Sequence, residues 1–210
     1  MTTDIKVAID LNFLPNLEFF AAISACDKLI YFPDQRFQRR TFINRTDILG
    51  PNKVQRLTVP IQGRRPAIPI SEIKIDYGQD WVKSHLRSIQ TAYGKAPFYE
   101  YYYPYFEEIY LSKPELLLTF NLQILTLCLK LLGSPAKLQE ADLNQKITDF
   151  KDIRGLISPR THFSQANFYQ AQAYFQLFGA DFEPNLSIMD LLFCEGTESN
   201  GLILKSLKKH

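Results

Sequence analysis

The sequence predicts one α/β domain over residues 1–210, with a β-α-β start that seeds an open Rossmann-like sheet, an inserted basic β-hairpin and a helical C-terminal half. Three observations lead there. A short apolar run, a loop, a helically spaced segment and a second apolar run follow one another within residues 6–32; two strand-like runs flank a Gly-Pro turn; and residues 80–132 are dominated by helical periodicity. The 210 residues are 46% hydrophobic and 22% charged, with 16 Phe and 11 Tyr. That composition excludes a disordered polymer, and a chain of this size buries roughly 70% of its unfolded surface.

Taken in order, Lys6–Asp10 reads as a strand and Leu11–Pro15 as a loop. Leu17–Ala25 reads as a helix, with Asn16 placed as its N-cap and Glu18 in its first turn. Lys28–Phe32 is a second strand, which the right-handed crossover rule makes parallel to the first. Arg40–Leu49 and Val54–Ile61 flank Gly50-Pro51-Asn52-Lys53 and form a hairpin; Leu57, Val59 and Ile61 alternate with polar positions. Ile73–Asp76 reads as a further short strand. Trp81–Tyr93 is a helix, a Tyr-rich segment runs to Tyr110, and Leu116–Leu132 is a helix stopped by Gly133 and Pro135. Lys137–Leu143 reads as a strand, Gln165–Phe178 as a helix, and a last helix starts at Ile188 with Ser187 and Asp190 spaced as a capping-box variant.

The net charge is only +2, yet it is unevenly spread. Residues 35–70 hold Arg36, Arg39, Arg40, Arg45, Lys53, Arg56, Arg64 and Arg65 against the single acid Asp47, a local +7; 16 bases and 21 acids, or −5, remain of the chain's 24 and 22. A local positive surface suits an anionic small molecule such as a nucleotide-sugar, CoA or the phosphopantetheine of a carrier. The near-neutral total and the lack of a recognised module argue against nucleic acid. Cys26, Cys128 and Cys194 are widely spaced and read as buried apolar residues in a reducing compartment. The amino terminus resembles no signal peptide, and Asn121, Gln123 and Lys130 interrupt the longest apolar stretch, so the expected location is cytoplasmic without membrane insertion.

The Trp81–Tyr93 helix carries two stripes. Val82, Leu86, Ile89 and Tyr93 suit a core; Trp81, His85, Ser88 and Ala92 suit the wall of a cleft, where a neutral histidine serves as acid or base. His85 is the catalytic candidate, and Trp81 and Ser88 are candidate substrate contacts. Asn12 follows the first strand, where ligands of open α/β sheets gather, and the helix after it offers an amino-terminal dipole to an anion. Arg39, Arg40, Asn44 and Arg45 complete the candidate binding set, the arginines as bidentate phosphate partners. His85, His162 and His210 lie far apart with no metal-ligand spacing, so no metal is expected. No P-loop, dinucleotide fingerprint or nucleophile elbow is present, and no cofactor is assigned. Asn12, Asn44, Arg45, Trp81, His85 and Ser88 are expected to converge on one pocket.

Several phrases together resemble the WbqC-like family, in its shorter form: Asn12-Phe13-Leu14-Pro15 with Glu18-Phe19-Phe20, Phe42-Ile43-Asn44-Arg45, Leu57-Thr58-Val59-Pro60, Trp81 with His85-Leu86-Arg87-Ser88-Ile89, and Pro184-Asn185-Leu186-Ser187-Ile188-Met189-Asp190-Leu191-Leu192-Phe193 with Gly196. The resemblance implies a gene of O-antigen or capsule clusters and a transferase that attaches an acyl or aminoacyl group to a nucleotide-activated amino sugar. Many members carry Gln-Pro or a histidine where this chain reads Asp10-Leu11-Asn12-Phe13, and Gly155-Leu156-Ile157-Ser158-Pro159 replaces a Gly-rich segment of longer members. Two other readings stay open: a non-catalytic subunit whose basic hairpin docks on an acidic carrier or pathway enzyme, and a nucleotidyltransferase-like enzyme.

Overall fold

The computed structural model describes residues 4–63, 68–142, 150–165 and 168–208. Strand β1 (Lys6–Ala8), helix α1 (Leu17–Ile23) and strand β2 (Lys28–Tyr31) form the expected parallel unit, with Val7 opposite Leu29. Strand β5 (Lys137–Glu140) adds beside β2 and β6 (Lys151–Asp152) beside β1, both parallel, giving the order β5-β2-β1-β6. The predicted open α/β sheet is therefore present. Period-2 alternation buries both faces: Val7, Ile9, Leu29 and Tyr31 face the main core, while Ala8, Ile30 and Phe32 pack with Ala141 on the other side.

The hairpin is also present, as β3 (Arg45–Leu49) paired antiparallel with β4 (Val54–Thr58). Three helices cover the main core: α2 (Trp81–Tyr93), α3 (Tyr99–Leu111, with Pro104 inside it) and α4 (Leu117–Leu131). Phe13, Phe106, Phe120 and Phe193 are fully buried there. Each such side chain contributes about 2–3 kcal/mol by leaving water. Helix α4 stops where Gly133 takes φ +64, allowing Ser134 N to donate back to Leu129 O at 2.9 Å. Helices α5 (Ile188–Glu195) and α6 (Ser199–Lys205) close the chain. The three cysteines are free and buried, and burial pushes the thiols of Cys26 and Cys194 up to about 12. Among the described residues no helix is long and apolar enough to cross a membrane.

Local expectations failed where tertiary bonds outcompete local ones. The strand expected over Arg40–Leu49 begins with a 3-10 turn at Phe42–Asn44, because Phe42 O accepts from Phe13 N at 2.9 Å and bends that end over the loop after β1. Ile73–Asp76 makes only single bridges, Lys74 with Leu116 and Ile75 with Ile61. The helix expected over Gln165–Phe178 is absent from residues 168–178. Apart from an isolated bridge of Tyr169 to Leu207 they form no regular element, and Tyr174 and Gln176 reach instead for the buried Asp190 carboxylate at 2.6 and 2.9 Å. A carboxylate 1% exposed needs those donors, and its engagement also explains why Ser187 alone caps α5, accepting from Met189 N. The strand expected over Lys137–Leu143 ends at Glu140; Leu143 lies outside the described residues.

Candidate functional site

The strand order sets the place to look. The chain leaves β1 toward β2 on one side, and β6 arrives on the other after crossing back, so a topological switch point falls between β1 and β6, where side chains of open α/β sheets build ligand sites beyond the carboxyl ends. A cleft of about 50 Å³ lies there, lined by Asp10 and Asn12 after β1, by Gln35, Gln38, Thr41 and Ile43 after β2, and by Gly155, Ile157, Ser158 and Arg160 after β6. That volume holds roughly three or four waters, or one small polar group.

Asp10 ties the three loops together. Its Oδ1 accepts from Gln35 Nε2 and its Oδ2 from the Gly155 backbone N–H, each at 2.6 Å. Gly155 sits at φ +73, the left-handed region that glycine enters without cost, and this turn aims its N–H at Asp10. Asn12 is only 3% exposed and lines the cleft, and its side-chain amide is not among the fully buried unpartnered groups, which include those of Asn16, Asn44 and Asn121. An amide that opens onto a cleft is available to water or to a ligand. Arg160 forms no ion pair among the described residues. The cleft thus presents an arginine, three amides and two hydroxyls around one carboxylate whose oxygens are already engaged. Its capacity is mostly that of a donor, suited to an anionic or strongly polar group. Behind it, Asn121 of α4 donates to Leu11 O and Ile43 O, both at 2.8 Å, and so fixes the loop after β1 against the 3-10 turn.

The residue after Asn12 enters a different environment. The Phe13 ring lies 5.6 Å from that of Phe120 and 6.1 Å from that of His85, and the Trp81 ring stands 5.0 Å from His85. His85 is 6% exposed; the Tyr110 hydroxyl lies 3.4 Å from its Nδ1, and burial pushes its pKa down to about 4, with a hydrogen bond to the Thr58 backbone opposing. The ring is neutral at neutral pH and enclosed. Trp81 donates its indole N–H to Asp76 O, Asn44 donates to Val59 O, and Ser88 accepts from Gln55 Nε2. Of the sequence-predicted set, only Asn12 lines the cleft; Trp81 and His85 share the aromatic box, Asn44 bonds the end of β4 beside it, and Ser88 meets the hairpin. Arg39 and Arg40 are exposed, and Arg45 is half-buried on β3.

The dipole of α1 offers no anion seat, because Leu17 N, Glu18 N and Phe19 N already donate to Leu186 O, Asn185 Oδ1 and Asn16 Oδ1. The Asn16 cap was legible in the sequence. Gln35, Gln38 and Thr41 follow β2 and were reachable by the same strand-end rule that singled out Asn12. Ser158 and Arg160 were not, since β6 is two residues long and carries no strand signature.

A sequence model of the WbqC-like protein family matches residues 11–156, well over half of the chain and the cleft lining from Asn12 to Gly155. The chain belongs to the WbqC-like family. Among relatives, the uncharacterized protein Rv1507c of Mycobacterium tuberculosis is 29% identical over 223 residues, covering 92% of this chain and 95% of its own. No solved structure matches. The WbqC-like match begins at Leu11, one residue after the Asp10 staple and one before Asn12.

Proposed function

We propose that this WbqC-like protein is a cytoplasmic transferase of surface-polysaccharide biosynthesis that attaches an acyl or aminoacyl group to a nucleotide-activated amino sugar. The carrying observation is the cleft at the switch point, with the Asn12 amide and the Arg160 guanidinium among its lining. A donor-rich cleft beside a basic segment favours an anionic ligand, whose small polar group enters the cleft while Arg39, Arg40 and Arg45 attract its phosphates. Asn44, Trp81 and His85 act here through position: they pack the wall behind Phe13 and the end of β4. Titration calorimetry of the purified chain with nucleotide-sugars and CoA tests the reading. Binding should weaken about tenfold on Asn12→Ala, the loss of one hydrogen bond to a charged ligand. Failure of the parent chain to bind any of these compounds overturns it.

One observation favours a second reading. The expected proton-transfer group, His85, is enclosed, and the cleft's single carboxylate has both oxygens engaged, an arrangement suited to binding without chemistry. On that reading the protein is a subunit whose basic hairpin docks on an acidic carrier. Co-purification of such a carrier from the native host supports it, and a chain that emerges alone and binds nucleotide-sugars counts against it.

A further inference from the structure

We infer that the solvent face of the β3–β4 hairpin is a second anion seat, in which Arg45, Arg56 and the Thr58 hydroxyl take a doubly charged phosphate or diphosphate group. The cross-strand register sets Arg45 opposite Thr58 and Asp47 opposite Arg56. Alternation sends Thr46, Ile48 and Leu57 into the core, so Arg45, Asp47, Arg56 and Thr58 share the outer face. Arg45 and Arg56 are diagonal neighbours there, within reach of one ligand.

Three observations point to an anion. Asp47 is consumed by Arg56, whose Nε and Nη2 each donate to it at 2.8 Å, leaving the other edge of the Arg56 guanidinium turned elsewhere. Among the described residues the Arg45 side chain makes no hydrogen bond or ion pair, and its Nε is buried without a partner. A buried guanidinium donor left empty is costly, and the fold keeps it beside a like charge. Burial, then the charge of Arg56, hold the Arg45 pKa below its ordinary value; Asp47 opposes, and Arg40 adds to the depression. Arg40, close enough to act on Arg45, is itself held at φ +60, a left-handed conformation unfavourable for a side-chain-bearing residue and typical of sites that bind. Arg45 and Arg56 share one carboxylate between them, and the charge of Arg40 adds to theirs at Arg45, an excess that a phosphate dianion neutralises; the forked geometry of arginine matches two phosphate oxygens at once.

This seat differs from the cleft between β1 and β6, none of whose lining residues belongs to the hairpin. It rests on the transferase reading only for the natural ligand, the diphosphate bridge of a nucleotide-sugar. The probe is pyrophosphate, titrated into the full chain while the arginine side-chain N–H resonances are followed by NMR. The Arg45 Nε–H signal should shift with saturation. Affinity should fall about tenfold on Arg45→Gln and by less on Arg45→Lys, which keeps the charge and loses the fork. An Arg45 signal that does not move, or an Arg45→Gln chain that melts at the parent temperature and binds pyrophosphate equally well, overturns the seat. Pyrophosphate binding at Arg45 in a chain that takes no nucleotide-sugar leaves the seat standing and sinks the transferase reading alone.

Discussion

Asn12 and Phe13 are neighbours in the chain and open onto two regions with different physics. Asn12 lines a donor-rich cleft; Phe13 enters a closed box of Trp81, His85, Tyr110 and Phe120. Both regions hold polar side chains more than nine-tenths buried. What separates them is access. His85 meets Tyr110 and the Thr58 backbone inside aromatic walls, whereas Asn12 lines an open cleft. A polar side chain that opens onto a cleft is available to a ligand, whereas a well-partnered buried histidine is a piece of core.

The comparison breaks if the two positions respond alike to truncation. Phe13→Ala should cost about 3–5 kcal/mol, the usual loss for a fully buried phenyl ring, whereas Asn12→Ala should stay within about 1 kcal/mol of the parent, since its amide opens onto the cleft. Urea denaturation of both variants decides it, and a Phe13→Ala loss no greater than that of Asn12→Ala would show that the box is not closed.

A second measurement sharpens the comparison through pH. The folded His85 pKa lies near 4 against 6.5 in the unfolded chain, so the unfolded state binds more protons between those values. This contribution is complete above about pH 6.5 and is lost as pH falls toward 4, by at most about 3 kcal/mol. Glu18 at the start of α1 acts with the opposite sign. Desolvation raises its pKa from 4.5 to about 7, against the hydrogen bond from Asn185, and its Oε1 is buried without a partner among the described residues. Its protonated form suits the fold, so its contribution is complete below about pH 4.5 and is lost as pH rises through 7. His85→Phe should flatten the acid limb of a stability-against-pH curve, and Glu18→Gln should raise stability above pH 7. Curves that keep the parent slopes in both variants would remove the basis for treating these residues as enclosed.

A more modest effect than that of Phe13→Ala should come from the cleft's staple. Asp10→Ala removes two hydrogen bonds that join the loops after β1, β2 and β6, at a cost of about 1–2 kcal/mol because both sites lie near water. Amide exchange at Gly155 should quicken while amides of α4 keep their protection. Unchanged exchange at Gly155 would mean that Asp10 does not hold the cleft together.

Sequence patterns were sufficient where neighbours along the chain carry the decision. The alternation of β1 and β2, the Asn16 cap, the α2 stripe, the hairpin turn and the glycine stop at Gly133 all follow from local sterics and hydrogen bonding within a few residues. The WbqC-like blocks were legible too, and so was Asn12, through the general rule for strand ends. The faces of α2 were read only in part: Ile89 and Tyr93 are core as predicted, but Trp81 and His85 are core as well, because α3 and α4 cover the second stripe that a lone helix would leave open. No pattern along the chain announces a covering layer.

The same limit explains the rest. The apolar spacing over 165–178 suits a helix, yet an Asp190 carboxylate from α5 draws Tyr174 and Gln176 into a different path. Asn121, visible only as a polar interruption of an apolar helix, turns out to hold the carbonyls of Leu11 and Ile43. By itself the sequence determined the local elements, the family and the local excess of arginine, since each depends on nearby residues or on composition. Only the tertiary structure decided that Asp10, Gln35 and Gly155 meet, that His85 is sealed and that Arg45 lacks a partner among the described residues. Those facts are distances between residues 9 to 145 positions apart along the chain, and hydrogen bonds and burial act through space.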